Sequence, residues 1–217
     1  MTPRYGRCRC PSAAATDVPP RRARHPLPSS GVSTGPRLGG MHDDQQILDL
    51  LRSLDRLPGP DHAEFPDGFD HGEAEARATA LSERLSEEFG APCSLDETQH
   101  AGCYFKVRVP AALTEAGVLL CIRLSNYGRL AAVTTPSPDS HADLDDAVAE
   151  GALSAVDRRR VEIALAELGY VIVPLRLLHL RYDGVTWLAD DVPGAAVLSY
   201  GPHAGEATWW TRFFEYL

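Results

Sequence analysis

Residues 103–135 read CYFKVRVPAALTEAGVLLCIRLSNYGRLAAVTT, and the fold class turns on them. Cys103, Phe105, Val107 and Val109 alternate with Tyr104, Lys106 and Arg108, the period-two pattern of a strand with one face in the core. Leu120, Ile122 and Leu124 form one face of the next strand. Ser125-Asn126-Tyr127-Gly128 is a tight turn into a further strand over 129–135, closed by Pro136 and Pro138. With a shorter strand near 92–97, the stretch predicts an antiparallel meander of three or four strands.

Helical periodicity lies on either side. Ile47, Leu48, Leu51, Leu54 and Leu57 recur at helical spacing behind Asp43 or Asp44 as N-cap, and LPGP at 57–60 stops that helix. A second helix over 73–89 lines up Ala74, Ala78, Leu81, Leu85 and Phe89, with Gly90 at its end. After the strands, 141–150 is a marginal acidic helix. Ser154 caps a firmer one that ends at Gly169 and carries Val161, Ala164, Leu165 and Leu168. YVIV at 170–173 is a buried strand or extended stretch, Pro174 opens a short helix through Leu178, and VTWL at 185–188 reads as a strand. The order predicts an α+β domain: an antiparallel sheet of about four or five strands, helices mainly on one face, and a closing aromatic helix.

That closing helix is TWWTRFFEYL, 208–217. At 100° per residue Trp210, Phe213, Phe214 and Leu217 share a stripe flanked by Trp209, while Thr211, Arg212 and Glu215 lie opposite. Burial of the stripe contributes on the order of 1.5–3 kcal/mol per large side chain. This reading puts the stripe in the core and leaves Trp209 at its edge as a contact anchor.

Composition bounds the function classes. A hydrophobic content of 44% and a charged content of 24% suit a soluble globular chain. The longest apolar runs, VLLCI at 118–122 and YVIVPL at 170–175, fall far short of the roughly 18–20 residues of a membrane span. No membrane association and a cytoplasmic location are expected. Lys106 is the sole lysine and Asn126 the sole asparagine, a bias expected of a GC-rich bacterial genome.

The net charge of −9 conceals a division. Residues 1–40 hold seven arginines and one aspartate, +6, so residues 41–217 carry −15. A field of that sign repels nucleic acid and favours a basic protein partner. Residues 1–40 also hold seven prolines and no apolar period, the composition of a disordered tail. The change at MHDDQQILDLL suggests that translation starts at Met41. Arg21-Arg22 lacks the apolar region of an export signal, and Gly31-Val32-Ser33-Thr34-Gly35 lacks the strand that a nucleophile elbow requires.

Candidate sites are sparse. Cys93, His100, Cys103 and Cys121 are the only soft metal ligands that cluster, without the paired C-x2-C knuckles of zinc sites. His100 and Cys103 lack a third orienting group for nucleophilic catalysis. Arg158-Arg159-Arg160 reads as a solvated helix side. No catalytic residue, metal or cofactor is expected. Two loops mix histidines with acids: Asp61, His62, Glu64, Asp67, Asp70 and His71, then Asp139, His141, Asp143, Asp145 and Asp146. Neither follows the calcium-loop pattern. As carboxylates that can hold Arg and Lys of another chain, Asp61, Glu64, Asp67, Asp70, Asp143, Asp145 and Asp146, with Trp209, are the expected partner interface.

ELGYVIVPLRLLHLRYDG (167–184), followed by the WWTRFFEYL ending, resembles small bacterial proteins of the polymorphic-toxin immunity type. The likeness covers the last fifty or so residues. It rests on Leu168-Gly169, Pro174, Tyr182-Asp183-Gly184 and the terminal W-W-x-R-F-F-x-Y-L. It implies a non-catalytic protein that neutralises a basic toxin by binding it. The alternative is a small enzyme or metabolite-binding protein with its pocket between the 61–72 loop and the sheet.

Overall fold

The computed structural model describes residues 43–59, 64–96, 104–137, 139–186, 188 and 206–215. All of them belong to the unit Met41–Leu217. The meander forms as expected. Strand β2 (Tyr104–Val109) pairs antiparallel with β3 (Leu120–Ser125), Tyr104 opposite Ser125 and Val109 opposite Leu120. Strand β4 (Leu130–Thr134) pairs antiparallel with β3, and the two-residue β1 (Ser94–Leu95) pairs with β2. A fifth strand, β5 (Val171–Ile172), lies parallel to β4, giving the order β1-β2-β3-β4-β5. The parallel pair follows from the connection: two helices intervene between β4 and β5, and a crossover of that length can return the chain in the same direction.

Gly128 sits in the β3–β4 turn at φ +63°, where L side chains are strained. A Cβ there would also come within 3.0 Å of the Leu54 methyls, so the turn lies flush on the first helix.

Helices cover both faces of the sheet, which corrects the expectation of one face. Val107, Val109, Leu120, Ile122, Leu124, Ala131 and Val133 pack with α2 (His71–Phe89), α3 (Leu144–Ala149) and α4 (Ala155–Glu167). Leu130, Ala132 and Val173 pack with α1 (Asp44–Asp55), α5 (Leu175–Leu178) and α6 (Trp209–Phe214). The cause is β4, whose five residues LAAVT are all buried. A strand without a solvated face needs cover on two sides.

Local signals place most helix ends. Asp70 caps α2 by accepting the Glu73 N–H at 3.0 Å, so that helix begins two residues earlier than expected and includes His71. Gly90, at φ 72°, ends it. Ser154 caps α4 through the Asp157 N–H at 2.9 Å. Leu57 lies beyond the end of α1 and is 37% exposed rather than on its buried stripe. Val185 and Thr186 form no strand, because their backbone N–H groups bond to Asp55 and the Tyr182 hydroxyl. Trp187 lies outside the described residues. Among the described residues no helix is long and apolar enough to cross a membrane.

Candidate functional site

Asp55 closes α1, four residues after Leu51 and eight after Ile47, and so falls on the helix's buried stripe. Its side chain is 1% exposed. Oδ1 accepts Arg212 Nε at 2.6 Å and the Thr186 hydroxyl at 2.8 Å. Oδ2 accepts the Tyr182 hydroxyl and the Val185 N–H, both at 2.7 Å. Four donors thus occupy the roughly four lone-pair positions of one carboxylate. Burial raises the Asp55 pKa, but the bonds from Val185, Arg212, Tyr182 and Thr186 outweigh it and hold the carboxyl below its ordinary value. The Tyr182 hydroxyl is pushed up to about 12 by burial and by its bond to Asp55.

Arg212 is fully buried, with its guanidinium carbon 4.1 Å from the Tyr127 ring centre and 5.0 Å from that of Phe213. Its two terminal nitrogens have no hydrogen-bond partner among the described residues, so the rings supply their electrostatic contact. A Cβ at Gly184 would lie 2.3 Å from Asp55 Oδ2 and 2.4 Å from the Tyr182 hydroxyl. Asp183 meets Arg52 at 2.8 Å. Tyr182-Asp183-Gly184, which reads as a turn in the sequence, therefore docks on α1. This cluster is a clasp joining α1, the 182–186 segment and α6. A buried carboxylate whose roughly four acceptor positions are all filled has no free lone pair with which to act as a base.

The clasp overturns two expectations about the aromatic ending. Arg212 and Thr211, expected on a solvated side, are 0% and 2% exposed, because α6 is enclosed all round. Trp209, expected as an exposed anchor, is 1% exposed. It stands edge-on to Tyr182 at 4.9 Å and stacks on Phe213 at 5.9 Å, and so is not available to a partner. Trp210 packs on Phe214, and Arg123 lies between Tyr104 at 4.5 Å and Trp210 at 4.6 Å while donating to the Phe214 carbonyl. Tyr216 and Leu217 are outside the described residues.

The acidic loops separate by how their charge is balanced. Asp143 caps α3 through the Asp146 N–H and lies 3.4 Å from Arg176. Asp145 pairs with Arg158. Asp146 is exposed. Across the fold, arginines take up other acids: Arg176 holds Asp44, Arg158 holds Glu162, Arg84 holds Glu88 and Glu167, and Arg160 holds Asp157. Around the start of α2 Arg77 holds Glu73, but the neighbouring acids are left out. Glu64, Asp67, Asp70, Glu75 and Glu83 have no arginine or lysine partner among the described residues, and Glu75 meets only His71, at 3.9 Å. Asp61 and His62 are outside the described residues.

The same region carries a row of rings. Phe65 stacks on Phe69 at 5.6 Å, Phe69 meets His71 edge-on at 6.3 Å, and His71 meets Phe105 at 5.3 Å. The three phenylalanines are half-buried and the His71 side chain is 54% exposed. The loop is closed at its base by the Asp67 N–H donating to Pro58 O at 2.6 Å, and Asn126 Nδ2 ties Glu64 O to the β3–β4 turn at 3.1 Å. From Gly72 onward a shallow, open depression of about 400 Å³ runs along α2, with Ala76, Thr79 and Ala80 between Glu75 and Glu83. Sequence reading found Glu64, Asp67 and Asp70 but missed the rings and Glu75 and Glu83. The available signal was the pair Phe65 and Phe69, two apolar rings inside an otherwise acidic loop.

Among the described residues no group of three or more His, Cys, Asp or Glu is placed to hold a metal ion. His100 and Cys103 lie outside them, and burial pushes the Cys93 thiol up, away from thiolate chemistry. No family model, curated protein or solved structure matches the chain.

Proposed function

We propose that this chain is a non-catalytic acidic binding protein whose partner is a basic protein, in the manner of an immunity protein that neutralises a toxin by direct contact. One observation carries the reading. Glu64, Asp67, Asp70, Glu75 and Glu83 gather around one end and one side of α2 without an arginine or lysine partner among the described residues, while arginines balance most of the carboxylates elsewhere in the fold and Glu73 beside them. Carboxylates left uncompensated repel one another, and a basic partner relieves that repulsion while gaining from steered association.

The test is co-expression with the basic product of an adjacent open reading frame, followed by calorimetry across a salt series. The expected result is a stoichiometric complex whose affinity falls as salt screens the exposed charges. No association at low ionic strength overturns the reading.

A further inference from the structure

Three of the chain's own arginines show how this molecule seats a guanidinium. Arg212 lies over Tyr127 and Phe213 with Asp55 on its edge. Arg160 lies 5.3 Å from the Phe89 ring and 3.0 Å from Asp157. Arg123 sits between Tyr104 and Trp210 and donates to the Phe214 carbonyl. Each site combines a ring face with an oxygen acceptor, which suits a planar cation that stacks and donates in its own plane.

The row Phe65, Phe69, His71 and Phe105 presents the same two elements without the arginine. Its rings are half-buried or exposed, and the unneutralised Glu64, Asp67, Asp70 and Glu75 lie on its loop and on the first turns of α2. The depression beside Ala76 and Ala80, flanked by Glu75 and Glu83, extends it along the helix with side chains small enough to admit another chain's backbone. We infer that this surface is the docking site for an arginine-bearing segment of a basic protein, with arginine side chains stacked on the phenylalanines and paired with the flanking carboxylates. The inference rests on the basic-partner reading and specifies its surface and its preferred cation.

Arginine differs from lysine here because its guanidinium stacks on rings, whereas an ammonium is a compact, strongly hydrated charge. Labelled oligoarginine and oligolysine peptides of equal length, titrated against the full chain by fluorescence anisotropy, make the distinction. Oligoarginine binds the wild-type chain about two- to fivefold more tightly per engaged ring contact. Phe69→Leu, which keeps apolar volume but removes one ring, lowers that preference by about two- to fivefold and leaves oligolysine binding unchanged. The double substitution Glu75→Gln and Glu83→Gln weakens both peptides, while Glu115→Gln, at an exposed acid in the β2–β3 connection, changes neither. Near-UV circular dichroism of each variant reports whether the fold is retained, and Phe65→Leu is a second ring variant should Phe69→Leu fail to fold. Absence of binding by either peptide at low ionic strength sinks the basic-partner reading itself. Binding that ignores the ring variants and the Glu75/Glu83 pair leaves that reading standing and overturns this site.

Discussion

The end of α1 and the start of α2 are built from the same chemical parts and differ in one. At the first, the Asp55 carboxylate and the Tyr127 and Phe213 rings enclose Arg212, and all of these side chains are buried. At the second, phenylalanine rings stand beside Glu64, Asp67, Asp70 and Glu75, none of which has an arginine or lysine partner among the described residues, while of the acids there Arg77 takes up only Glu73. Where the cation comes from the chain itself, the cluster is a fastening. Where it is missing, the cluster is the surface we propose as the docking site. Burial drives the distinction, because an ion inside the protein must be paired, whereas one at the surface is satisfied by water until a partner displaces it.

The most severe way to break the comparison is to remove one side of the fastening. Asp55→Ala leaves the Arg212 charge buried and uncompensated, and urea unfolding should show a loss of about 3–5 kcal/mol. Replacing both partners, Asp55→Leu with Arg212→Met, should recover most of that loss, since a buried pair exchanged for apolar side chains is often neutral. Recovery is the informative outcome: it separates a paired charge from a general intolerance of change at these positions.

Trp209→Ala should cost about 3 kcal/mol or more, comparable to Trp210→Ala, since both indoles lie in the core. Loss of a contact anchor at the edge of the stripe would instead have acted mainly on binding. A stable Trp209→Ala protein would contradict the packing between Tyr182 and Phe213.

Acid should loosen the fastening too. The folded-state pKa of Asp55 is depressed, so its stabilisation is complete above the unfolded value of about 3.9 and disappears as pH falls through the lower folded value. Stability measured from about pH 5 downward should therefore decline more steeply in wild type than in Asp55→Asn. Tyr182→Phe deletes one donor to Asp55 and the acceptor for the Thr186 N–H, with an expected cost of about 1–3 kcal/mol.

The smallest effect belongs to the other region. Glu83→Gln removes an exposed carboxylate with no internal cation, and stability should stay within about 0.5 kcal/mol of wild type. A large loss there would show that this surface is structural and would dissolve the contrast.

Local pattern was enough to read the meander, the cap of Ser154 and the stop at Gly90, whereas the cap at Asp70 went unread. Each depends on residues within a few positions of one another, where period and backbone preference act directly. The unneutralised loop was legible in part, because Glu64, Asp67 and Asp70 are adjacent in the chain. Asp55 was not singled out, although an acid at helical spacing from Ile47 and Leu51 is an anomaly on an apolar stripe. Its meaning was not visible, because its partner is 157 residues away.

The sequence by itself determined where most strands and helices form and that residues 41–217 carry an excess of acid. Tertiary structure alone decided that helices cover both faces of the sheet, that α6 is enclosed with its arginine inside, and that Phe105 joins Phe65 and Phe69 in one row. The physical reason is that periodicity reports which side of an element is apolar. Which distant charge or ring completes a cluster depends on how the elements are brought together.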